Sequence, residues 1–181
     1  MEAAQRINLQ GWRNSSGQLI GWRTPAPAIS SRRVVVFHGN AGHALYRLYF
    51  AAGFLAQSSD WQVYLFEYPG YGARPGKPSE TDIKAAATDA IAELLAQDTG
   101  PVYLVGESLG SGVATYLAGE FGQQIAGILL VTPFTSLTDV ASEHYGFLPV
   151  RTLLSERYDS LNALEGYQGP VAFLLAGNDE I

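Results

Sequence analysis

Five short runs rich in apolar residues, at 34–37, 63–68, 102–105, 128–131 and 171–175, alternate along this chain with stretches whose apolar residues recur at helical spacing. Val34-Val35-Val36-Phe37 carries no polar residue on either alternate face, which suits a strand covered on both sides, as in a parallel sheet. Ahead of these runs, 7–13 and 19–23 flank Asn14-Ser15-Ser16-Gly17 and read as an antiparallel hairpin. A hairpin followed by alternating strands and helices leaves few topologies open: an α/β fold with a mostly parallel sheet. Helices are expected at about 43–57, behind Ser79 and over 111–121. Ser79-Glu80-Thr81-Asp82 is an acidic capping box, and Ile83, Ala86, Ala87, Ala90, Ile91, Leu94 and Leu95 then fall on one face. In the third helix Val113, Tyr116, Leu117 and Phe121 are read as inward, and Tyr46, Tyr49 and Phe50 in the first as helix-face packing.

The 181 residues fit a single domain, 1–181, and with 47% hydrophobic and 15% charged residues they describe a globular chain. Seventeen acidic against 11 basic side chains, without a Lys/Arg cluster, argue against nucleic acid as a partner. The absence of cysteine excludes disulfides and a thiolate nucleophile. No signal peptide and no run of the roughly 20 apolar residues that span a bilayer is visible, so the expected location is cytoplasmic.

Gly106-Glu107-Ser108-Leu109-Gly110, between the 102–105 run and the third helix, is the GxSxG pattern of a nucleophile elbow. A serine hydroxyl needs a base to remove its proton and donors to hold the resulting oxyanion; a sharp strand-to-helix turn presents the side chain and aims backbone N–H groups. Gly106 and Gly110 then serve a close approach of strand and helix. In such sheets functional groups gather beyond the carboxyl ends of the strands. There stand His38-Gly39-Asn40-Ala41-Gly42-His43, Pro69-Gly70-Tyr71-Gly72, Glu107-Ser108, Thr132-Pro133-Phe134 and Gly177-Asn178-Asp179. Neither the phosphate-binding GxxxxGK[ST] pattern nor the dinucleotide GxGxxG pattern is met.

In order and spacing these motifs, together with Tyr68-Pro69-Gly70-Tyr71-Gly72, Pro78-Ser79-Glu80, Thr132-Pro133-Phe134-Thr135-Ser136-Leu137 and Arg157-Tyr158-Asp159-Ser160, resemble the α/β-hydrolase superfamily. The closest likeness is to abhydrolase-domain serine hydrolases, which include depalmitoylating thioesterases and small bacterial esterases. The resemblance implies a three-layer α/β-hydrolase sheet with Ser108 as nucleophile and the backbone N–H groups of Asn40 and Leu109 as oxyanion hole. It gives His38 a structural role, and Gly39 and Gly42 room for the loop to approach the substrate. Asp179 is implied as the acid that orients the base, with Asp139 and Glu180 as alternatives. No cofactor and no metal are implied, and the expected substrate is a small or acylated ester or thioester.

The triad of this fold runs Ser, Asp or Glu, then His in chain order. Here His38, His43 and His144 all precede Asp179. The expectation is therefore a truncated domain lacking its last strand and helix, which roughly 30 to 50 further residues would complete. The 181-residue chain is expected to be nearly inactive, and 171–175 to form an exposed sheet edge open to self-association. The alternative is a non-catalytic interaction protein of the same fold. Phe134, Leu137, Tyr145, Phe147, Leu148, Leu153 and Leu154 are candidates for an acyl pocket or for cap packing.

Overall fold

The computed structural model describes residues 7–27, 32–97, 100–133 and 163–175. Within them seven strands form one sheet in the order β1-β2-β4-β3-β5-β6-β7. They are β1 (Gln10–Arg13), β2 (Leu19–Arg23), β3 (Arg32–Phe37), β4 (Trp61–Phe66), β5 (Val102–Glu107), β6 (Ile125–Val131) and β7 (Val171–Leu174). β1 and β2 pair antiparallel, β2 joins β4 antiparallel, and every pairing from β4 to β7 is parallel. The expected hairpin and alternation are both present. In the hairpin turn the Asn14 side chain accepts from the Gln18 N–H at 2.9 Å, and Ser15 donates to Glu93 at 2.7 Å, pinning the turn to a helix.

Among the described residues three α-helices cover the faces: α1 (Leu48–Gln57), α2 (Glu80–Leu95) and α3 (Leu109–Phe121). The alternation of side chains along β3 divides the core. Val34 and Val36 pack with Ala44, Ala51, Val63, Leu65 and Val105 on the α1 face. Val35 and Phe37 pack with Ile83, Ala87, Ile91 and Leu94 of α2 and Val113, Ala114, Leu117 and Ala118 of α3 on the other.

Ser79 caps α2 through its hydroxyl, which accepts from the Asp82 N–H at 3.1 Å. At the opposite end the buried Arg33 guanidinium donates to the carbonyls of Leu94 and Gly100.

Several boundaries differ from the sequence reading. The first helix begins as a 3-10 turn, Ala44–Arg47, before α1. β4 ends at Phe66 rather than Tyr68; the Tyr68 hydroxyl donates to the His38 carbonyl at 2.7 Å and so ties that residue to the neighbouring loop. α3 starts at Leu109, directly after the serine. Tyr46 and Tyr49 are not buried against the sheet: they are 64% and 56% exposed, with Tyr46 against the His43 ring and Tyr49 against Phe50. α1 lies against the sheet through Ala51, with Phe50 and Phe54 partly buried.

Candidate active site

Ser108 stands between β5 and α3 with φ 48° and ψ −116°, a conformation rarely held by a residue with a Cβ. Neighbouring chain holds it there. Its N–H donates to the Val131 carbonyl of β6 at 3.0 Å, and its own carbonyl accepts from the Ser111 N–H at 2.8 Å and the Ser111 hydroxyl at 2.6 Å. Gly106 and Gly110 permit the turn. A Cβ on Gly106 would lie 2.4 Å from the Gly110 carbonyl oxygen, and one on Gly110 would lie 2.0 Å from the Phe37 carbonyl oxygen. α3 therefore starts almost in backbone contact with β3.

Leu109 opens α3, so its N–H belongs to the first turn, which has no intrahelical acceptor. Among the described residues no acceptor pairs with the amide of Leu109 or of Asn40. The loop carrying Asn40 crosses directly beside the serine: a Cβ on Gly39 would be 3.4 Å from the Cβ of Ser108.

That loop is held from beneath by a buried polar cluster. The His38 ring is 1% exposed. Its Nδ1 lies 2.7 Å from the Gly39 carbonyl and its Nε2 lies 3.2 Å from Glu67 Oε1. A carbonyl oxygen only accepts, so Nδ1 donates that bond. Glu67 also accepts from the Ala44 N–H at 3.1 Å and so caps the 3-10 turn. Arg74 donates to the Glu67 carbonyl at 2.7 Å, and the Tyr71 hydroxyl donates to the Asn40 side chain at 2.6 Å. With both nitrogens engaged, His38 holds the loop and has no free nitrogen to offer Ser108. His43 packs its ring on Tyr46 at 4.1 Å between centroids. Among the described residues no histidine is hydrogen-bonded to the Ser108 hydroxyl.

Glu107, the residue between Gly106 and Ser108, is the centre of a cluster that the sequence reading missed. Arg47 donates to it twice, Nε to Oε2 at 2.8 Å and Nη2 to Oε1 at 2.7 Å, and the Tyr49 hydroxyl donates at 2.7 Å. Burial is the largest single influence on the Glu107 carboxyl and pushes it up. Together the hydrogen bonds from Arg47 and Tyr49 and the charge of Arg47 outweigh burial and hold it below the ordinary 4.5. Burial and the bond to this carboxylate push the Tyr49 phenol up to about 12. A basic residue in the first helix and a glutamate in the elbow were the only signals available, and they stand 60 positions apart.

Asp179, Asp139, Glu180 and His144 lie outside the described residues, as do the pocket candidates Phe134, Leu137, Tyr145, Phe147, Leu148, Leu153 and Leu154. What the described residues bring together is Ser108, Gly106, Leu109 and Gly110 at the end of β5 and His38, Gly39 and Asn40 at the end of β3.

Comparison with known proteins gives a consistent picture. Residues 34–178 match the alpha/beta hydrolase family. An uncharacterised protein of Mycobacterium tuberculosis is 37% identical over 168 residues, covering 91% of this chain and 58% of its own length. The lysophosphatidylserine lipase ABHD12 of Mus musculus is 30% identical over 144 residues, 74% of this chain and 34% of that protein. The chain thus spans a third to somewhat over half the length of these relatives. Among solved structures, an esterase of Pyrococcus furiosus superposes with TM-score 0.70 at 15% identity, over 93% of this chain and 69% of that one. An alpha-beta hydrolase of Vibrio vulnificus superposes with TM-score 0.69 at 20% identity, over 96% and 65%.

Proposed function

Because this chain belongs to the alpha/beta hydrolase family, we propose that it carries the nucleophile and oxyanion hole of a serine hydrolase that cleaves carboxylic esters or thioesters. The observation that carries the reading is the strained backbone of Ser108 in GESLG, at the junction of a buried strand and a helix, beside a loop with an unengaged amide. Strain of this kind, about 1 to 3 kcal/mol, persists where the surroundings over-determine it and clusters at active sites.

Ser108 Oγ attacks the acyl carbon, and the carbonyl π pair moves onto oxygen, where the Leu109 and Asn40 N–H groups receive it. Collapse of the adduct expels the alkoxide or thiolate, which takes the proton removed from Ser108. Water repeats the sequence to free the acid. Base and acid are drawn from outside the described residues, with Asp179 as the acid. Two relatives support the substrate class: one is named as an esterase and one as a lipase.

In the full-length protein a fluorophosphonate probe should label Ser108, and Ser108→Ala should abolish both labelling and p-nitrophenyl ester hydrolysis. Retained turnover in Ser108→Ala overturns the reading. The second reading, a non-catalytic interaction protein, is favoured by one observation: no described histidine meets the Ser108 hydroxyl. It gains if the full-length protein binds acyl ligands yet takes no label.

A further inference from the structure

We propose that Arg47 is a positioning residue for this acyl transfer, clamping the two halves of the oxyanion hole at one separation. The inference rests on the serine-hydrolase reading. Each guanidinium nitrogen is used. Nε and Nη2 grip the Glu107 carboxylate at 2.8 and 2.7 Å, and Nη1 donates to the Ala41 carbonyl at 3.1 Å. Glu107 is two residues before Leu109, and Ala41 directly follows Asn40. One planar, rigid group therefore bridges the segments that present the two amides.

The bridge is tight. The Cβ position of Gly39 lies 3.4 Å from each of Arg47 Nη2, Glu107 Oε1 and Ser108 Cβ, so clamp, loop and serine meet at one point. A surface ion pair of ordinary kind is mostly exposed and contributes little. This one is not: its side chains are 13% and 18% exposed, and the Tyr49 hydroxyl donates to the same carboxylate at 2.7 Å. From the floor, Glu67 fixes the loop only at its ends, through His38 and Ala44; Arg47 fixes its middle.

Oxyanion stabilisation depends on donors sitting at the position the charged oxygen will occupy, and a misplacement of about 1 Å costs about a hundredfold. An ammonium on a flexible stem cannot grip a carboxylate in two places and a carbonyl in a third. Arg47→Lys, which keeps the charge, should therefore fail much as Arg47→Met does.

The test is steady-state hydrolysis of p-nitrophenyl butyrate by the full-length protein carrying Arg47→Lys or Arg47→Met, with Ser108→Ala alongside. Both Arg47 variants should lose about 10- to 100-fold in kcat, with KM within about threefold. Affinity for a phenylboronic acid, which forms a tetrahedral adduct, should fall by the same factor as kcat/KM. Wild-type kcat in Arg47→Lys overturns the proposal, as does a rise in KM at unchanged kcat. Activity surviving in Ser108→Ala condemns the serine reading instead, independently of the clamp. A crystal structure of Arg47→Met judges the clamp without kinetics: the Asn40 and Leu109 amide nitrogens should separate by more than about 0.5 Å, and an unchanged separation overturns it.

Discussion

Among the described residues two with side chains hold positive φ, Ser108 at 48° and Thr132 at 42°, and they sit directly past the paired ends of β5 and β6. The strain has a measurable consequence. Glycine adopts such angles freely, so Ser108→Gly should be more stable than Ser108→Ala by about 1 kcal/mol or more, read from urea denaturation midpoints. Equal midpoints would show that the turn is relaxed. Gly110→Ala goes the other way: its Cβ would meet the Phe37 carbonyl at 2.0 Å, backbone against backbone, and should cost about 3 kcal/mol or more. Glu107 gives a pH test. A carboxyl held below its ordinary value stabilises the fold above its unfolded pKa, and that contribution is lost as pH falls through the folded one. Wild type should therefore exceed Glu107→Gln in stability near neutrality, and the two should converge as pH falls below the ordinary glutamate range. A gap that stays constant with pH would place the effect in packing.

At the scale of elements, α2 is the clearest case of a segment whose ends are set by side chains. Ser79→Ala should destabilise by about 1 kcal/mol in chemical denaturation, with Ser79→Asp retaining most of the stability. The start of α2 and its buried face, Ile83, Ala87, Ala90, Ile91 and Leu94, could be read from the sequence because a cap and a helical face are local patterns. Its other end could not. The cap there is Arg33, 61 positions away on β3, and a cation at a strand start gives no sign that it will be buried against helix carbonyls. Tyr68 misled for a related reason: an aromatic after an apolar run looks like more strand, whereas its hydroxyl belongs to the loop after β3. At the site the GESLG turn was legible because its glycines and serine are contiguous. The Arg47–Glu107–Tyr49 cluster was not, because only the packing of the first helical segment over the end of β5 brings those residues together.

Among the described residues the sheet ends in two unlike edges. β1 is short, bulged between Trp12 and Arg13, and presents mostly polar residues, which discourages further pairing. β7 presents Phe173 and Leu174, with Leu175 beyond, at 57 to 68% exposure. A polypeptide limited to these 181 residues is expected to self-associate through that edge, and Phe173→Lys should reduce association in sedimentation velocity. A monodisperse monomer at about 100 µM would count against it. The same strand order says something about time. β4 and β5 flank β3 on opposite sides, and β6 and β7 are then each laid beside the strand before them. A chain leaving the ribosome can thus seat Ser108, the 38–43 loop and Arg47 together while later residues are still being translated.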